Sequence, residues 1–123
     1  MMMTNPLYDA LFAPHAANPA PFLFLDDGRT LTFADFVAAV ARHAHALLAV
    51  GVRPGDRILV QAPKTPGMLA LYGATVQVGA VFLPLNTAYT AEEVGYFIAD
   101  ATPRLVVCTG GARAALTPMA ARV

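Results

Sequence analysis

Short apolar runs alternating with capped helical segments predict an α/β fold built on a parallel sheet. Three runs carry the reading: Arg57-Ile58-Leu59-Val60-Gln61, residues 80–85, and Arg104-Leu105-Val106-Val107-Cys108. Each pair is separated by a segment that opens on a helix start signal. Parallel neighbours need a crossover connection, and such crossovers are right-handed. Residues 57–108 are therefore expected to form a parallel βαβαβ unit, preceded by a β-hairpin and an amphipathic helix.

Residues 5–13 suit a short amphipathic helix with Leu7, Leu11 and Phe12 on one side. Phe22-Leu23-Phe24-Leu25 and Thr30-Leu31-Thr32 flank Asp26-Asp27-Gly28-Arg29, a turn sequence that predicts a hairpin. Thr32 and Asp35 have capping-box spacing for the next helix. Its apolar face is expected to carry Phe36, Val37, Val40, Ala44, Leu47 and Leu48, with Asp35, Arg42 and His45 opposite. Gly51 is placed to end it.

Beyond that helix the strand–helix alternation begins. Pro54-Gly55-Asp56 reads as a tight turn in which Asp56 accepts backbone N–H bonds. Thr65-Pro66 opens a helix, with proline at the first position, where a missing N–H costs nothing. Gly79 is expected to let that helix end close to a strand. Thr90 and Glu93 form a second capping box, ahead of the stripe Val94, Phe97, Ile98, Ala101. Pro103 stops the helix. Residues 112–123 lean helical but are interrupted by Pro118. Three strands alone are expected to leave one sheet edge and one face uncovered.

Composition narrows the function classes. Charged residues make up 13% of the chain, against about 25% in an ordinary globular protein. Eight basic and eight acidic side chains balance, and no basic block exists, which argues against a nucleic-acid partner. Cys108 is the single cysteine, so no internal disulfide can form. The first residues lack a charged and apolar leader pattern. Both features point to the cytoplasm. Residues 66–85 are uncharged and long enough to span a bilayer, but Gly67, Gly73, Gly79 and Pro84 divide them. A buried helix followed by a buried strand is the expected reading, without a membrane partner.

Candidate site residues are few. Asn86, Thr87 and Tyr89 follow the second parallel strand, at the carboxyl end where α/β sheets gather ligands. His43 and His45 are two apart on a helix, so they point about 200° apart and cannot share a metal. Cys108 ends an apolar strand with no neighbouring cation in sequence, which fits an inert thiol. Gly110-Gly111 lacks the further glycine and the Gly-Lys-Ser/Thr of phosphate loops.

Three stretches together resemble the adenylate-forming superfamily of acyl-CoA synthetases, luciferases and peptide-synthetase adenylation domains. Leu31-Thr32-Phe33-Ala34-Asp35-Phe36 is similar to the family's Leu-Thr-Tyr-x-Glu-Leu motif. Gly51-Val52-Arg53-Pro54-Gly55-Asp56-Arg57-Ile58 resembles its Gly-Val-x-x-Gly-Asp-Arg-Val turn into a strand. Gly79-Ala80-Val81-Phe82-Leu83-Pro84-Leu85-Asn86 matches its second core motif. The run Pro84-Leu85-Asn86-Thr87-Ala88-Tyr89-Thr90, followed by Tyr96-Phe97-Ile98, is similar to the malonyl-CoA synthetase branch.

The resemblance implies that residues 1–123 are the N-terminal portion of the large adenylate-forming domain, incomplete, with 57–108 as its core. It implies an intact enzyme that uses ATP, Mg2+ and CoA to activate a carboxylic acid, malonate or another short acid. The family's Ser/Thr/Gly-rich loop with Pro-Lys-Gly, its Thr-Glu pair, its ribose-binding Asp and its late catalytic Lys have no counterpart here. Lys64 is the only lysine; Thr65 follows it where the motif needs glycine. No catalytic, cofactor-binding or metal-binding residue is assigned, and the chain alone is expected to be inactive, its partner being the C-terminal remainder of the enzyme. The alternative from the residues alone is a self-contained interaction module that docks through an exposed sheet face.

Overall fold

The computed structural model describes residues 4–123. Two short strands, β1 (Pro21–Phe24) and β2 (Thr30–Thr32), pair antiparallel as the expected hairpin. Its turn closes through Leu25 N–H to Arg29 O (2.8 Å), and Asp27 accepts both the backbone N–H and the Nε of Arg29. Three further strands, β3 (Arg57–Gln61), β4 (Val81–Pro84) and β5 (Leu105–Cys108), form a parallel sheet in the order β4-β3-β5. Ile58 lies beside Phe82 on one side and Leu105 on the other.

The central strand explains the sheet. Ile58, Leu59 and Val60 have no exposed surface, as expected for a parallel strand covered on both faces. Helices α2 (Phe33–Ala49) and α3 (Pro66–Gln77) cover one face, where Ala44, Leu47, Leu71 and Ala74 surround Ile58 and Val60. Helix α4 (Ala91–Ala101) and the single turn α5 (Arg113–Leu116) cover the other, with Val94, Ile98 and Leu116 on Leu59. The uncovered face expected from the sequence is therefore not found. Leu116, with only 1% of its surface exposed, supplies part of that cover.

The two sheet edges are managed differently. Val81 and Leu85 both donate into β3, to Asp56 O and Val60 O. By alternation the nitrogen of Pro84 faces outward, where the edge needs no donor. On the opposite edge, Val106 N–H donates to Arg122 O at 2.9 Å, so the last residues occupy part of the outer side of β5.

Local signals held at the helix starts. Thr32 Oγ1 accepts from Asp35 N–H (3.0 Å) while the Asp35 carboxylate accepts from Thr32 N–H (3.1 Å), and Thr90 and Glu93 reciprocate in the same way. Thr65 Oγ1 caps α3 through Met68 N–H. Two face assignments need correction. Helix α1 (Pro6–Leu11) leaves Leu7 and Leu11 about half exposed and turns Tyr8 and Phe12 inward, their rings stacked at 5.8 Å. The helix ends after six residues, so Phe12 follows Tyr8 by one turn and the two share a side. Leu48, expected on the core face of α2, is 55% exposed; the buried stripe runs Phe36, Val37, Val40, Ala44, Leu47.

Helix α3 packs tightly against Val40 of α2 at Gly73. A Cβ there would lie 2.7 Å from Val40 Cγ2 and 3.2 Å from Phe12 Cε1, both on buried side chains. Alanine is the better helix former by about 1 kcal/mol, yet overpacking against a stiff β-branched neighbour costs about 1–3 kcal/mol. Gly73→Ala is therefore expected to destabilise by about 1 kcal/mol, read as a lowered midpoint in denaturant unfolding. Gly79 serves a different contact. It ends α3 at φ +77°, its carbonyl accepts Gly55 N–H (2.9 Å), and a Cβ there would come within 3.4 Å of Pro54 Cβ.

Candidate functional site

The carboxyl ends of the parallel strands gather the polar groups. A cleft of about 300 Å³ opens there, lined by Gln61 from the end of β3, Pro63, Thr87 and Tyr89 from the loop after β4, and Thr109 and Leu116 beyond β5. Gln61 is 8% exposed, and its Nε2 donates to both Asn86 O (3.1 Å) and Tyr89 O (3.0 Å). Tyr89 N–H also donates to Asn86 O, and the Tyr89 ring stacks on Phe97 at 5.5 Å. Thr87 and Tyr89 thus line the cleft, as the strand-end argument expects. Asn86 does not. Its side chain turns back on the loop, with Oδ1 accepting Ala88 N–H at 2.9 Å.

Gln61 is the residue that the sequence reading passed over, taking it only as the end of a strand. The available signal was a polar side chain closing the apolar run of the central strand, where burial demands hydrogen-bond partners.

A second, larger groove of about 870 Å³ lies between the hairpin, the start of α3 and β4. Its walls include Leu23, Met68, Leu69, Tyr72 and Phe82, with Asp27, Arg29 and Lys64 also along it. Phe24 beside it is 77% exposed.

The remaining candidates fall apart geometrically. His43 places Nδ1 2.8 Å from Ala39 O on its own helix, while His45 is exposed. Cys108 is a half-buried free thiol whose pKa is pushed up by burial, against an opposing pull from the Arg113 charge. Gly110 and Gly111 lie in the exposed turn before α5, which is one turn long. Asp56 accepts Arg53 N–H at 2.8 Å and Arg104 Nε at 3.3 Å. The backbone bond from Arg53 first, then Arg104, holds its carboxyl below the usual range. Its work is to close the turn into β3. Among the described residues, no three His, Cys, Asp or Glu side chains are grouped to hold a metal.

A model of the AMP-binding enzyme family matches residues 12–122. The chain belongs to that family. Among solved structures, MatB from Rhodopseudomonas palustris is 39% identical and superposes with a TM-score of 0.91, over 97% of this chain and 24% of MatB. MatB has been solved both without ligand and with ATP bound. The feruloyl-CoA synthase of an Amycolatopsis species is 36% identical over 104 residues, covering 85% of this chain and 20% of that enzyme. The N-terminal domain of FACL13 from Mycobacterium tuberculosis, at 20% identity and a TM-score of 0.81, shares the fold. The chain thus spans about a fifth of the length of these curated relatives and about a quarter of MatB. No helix among the described residues is long and apolar enough to cross a membrane; residues 66–85 divide into α3 and β4, but β4 is not the buried strand expected, since it lies at the sheet edge with Val81 and Pro84 exposed.

Proposed function

We propose that this chain is the N-terminal portion of the large domain of an AMP-forming acyl-CoA synthetase acting in the cytoplasm. The observation that carries the reading is the family match over residues 12–122, together with a span of only about a fifth of the matched ligases. In the intact enzyme a carboxylate oxygen attacks the α-phosphorus of ATP, forming the acyl-adenylate and releasing pyrophosphate. The CoA thiol then attacks the acyl carbon, loses its proton, and displaces AMP. Stabilising charge on the phosphoryl oxygens requires Mg2+ and a cation, and both are assigned to the remainder of the enzyme. The residues present here contribute a folded sheet, and at its carboxyl ends a neutral cleft bearing the hydroxyls of Thr87, Tyr89 and Thr109.

The acid we propose is malonate or another short acid. Support comes from the run 84–90, which resembles the malonyl-CoA synthetase branch, and from the high structural similarity to MatB. An aromatic acid is the second reading, favoured by the feruloyl-CoA synthase and by the 3-hydroxybenzoate/4-hydroxybenzoate–CoA ligase of Thauera aromatica, 38% identical over 78 residues. The test is acyl-CoA formation by the intact enzyme with malonate, methylmalonate, acetate, ferulate and 4-hydroxybenzoate. Malonate is expected to give the highest kcat/KM. A higher value with an aromatic acid would reverse the substrate assignment, and no acid-dependent consumption of ATP would overturn the ligase reading in favour of a docking module.

A further inference from the structure

We infer that Gln61 is a positioning residue, which holds the 86–89 loop so that Thr87 and Tyr89 meet a substrate of the ligase reaction. The inference rests on the ligase reading above, but its structural half stands on the hydrogen bonds alone.

Gln61 ends the central strand, whose three preceding residues have no exposed surface. Its amide nitrogen therefore occupies a place set by the most buried part of the sheet. Both Nε2 hydrogens are used, one on Asn86 O and one on Tyr89 O. Those carbonyls bracket the loop that carries Thr87 and Tyr89 into the cleft. Otherwise the loop holds itself mainly by local bonds: Tyr89 N–H to Asn86 O, Ala88 N–H to Asn86 Oδ1, and the Thr90 cap of α4. Leu85 N–H to Val60 O ties only its start to the sheet. The chemistry at position 61 is demanding. Gln61 supplies a side-chain donor to Tyr89 O and, beside Tyr89 N–H, a second donor to Asn86 O, and a carboxylate in its place would present only lone pairs. Loop positioning of this kind acts on substrate binding, because misplacing a contact group weakens it without removing a reacting atom.

The experiment uses the intact enzyme with Gln61→Leu and Gln61→Glu. The first readout is amide exchange of the segment 85–90. The second is KM for acid, ATP and CoA alongside kcat. Gln61→Leu is expected to speed exchange in 85–90 about tenfold while α2 and α3 are unchanged, and to raise KM for at least one substrate about tenfold with kcat within about twofold. Gln61→Glu supplies the control against a general packing defect. Protonated, it donates one bond; ionised, it donates none. Its KM relative to wild type should therefore fall as pH is lowered, whereas that of Gln61→Leu should not change. Unchanged exchange in 85–90 would overturn the positioning role. Faster exchange with all three KM values within about twofold of wild type would overturn the link to substrate, as would a pH-independent Gln61→Glu. Failure of the wild type to form any acyl-CoA would count against the ligase reading, and the exchange readout would still decide what Gln61 holds.

Discussion

The 123-residue chain by itself is expected to show no ATP–pyrophosphate exchange with any carboxylic acid, while the longer acyl-CoA synthetase proposed above is expected to exchange readily. Catalysis of adenylation depends on holding a triphosphate with its metal and on placing a cation where charge develops. Lys64, the single lysine, lines the groove beside the hairpin rather than the strand-end cleft, and is followed by Thr65 and Pro66 rather than by a glycine turn. Loss of such positioned charge typically costs factors of about 10² to 10³ for one group alone. Removing the whole constellation is expected to bring the rate to background. Isotope exchange with the 123-residue chain, purified free of the host ligase, is the measurement. Exchange above background would place phosphate-binding groups within residues 1–123.

Leu59→Ala is expected to lower unfolding free energy by about 3–4 kcal/mol, near the middle of the range for buried leucines. Leu59 has no exposed surface and packs against Val94, Ile98, Val106 and Leu116, which come from three different elements. None of them can follow the retreating side chain without dragging a helix or strand, so the cavity persists. Set against a net stability of about 5–15 kcal/mol for a typical domain, that loss is a large fraction. Denaturant unfolding of the intact enzyme, followed by circular dichroism, reads it. A change below about 1 kcal/mol would mean that α4 and α5 do not close this face in solution.

What the sequence determined by itself were the features written in short-range chemistry. Thr32/Asp35 and Thr90/Glu93 bond across three residues, so their capping boxes need no tertiary support. The alternation of apolar runs and capped helices specified parallel strands, because no short turn joins them, and the sheet is parallel as expected. The family motifs in 31–36, 51–58 and 79–86 were legible for the same reason, each being a local turn, cap or strand. The tertiary structure decided which side of each element is buried and which strand lies centrally. Leu7, Leu11 and Leu48 are as apolar as their neighbours, and only the positions of α2, α3 and the hairpin leave them in water. Leu116 covers Leu59 from more than fifty positions away, so no local pattern could announce the closed second face. Gln61 belongs to the same class. Its role arises because β3 lies between β4 and β5 and brings its last side chain under the carbonyls of Asn86 and Tyr89, a juxtaposition that exists only once the sheet has formed.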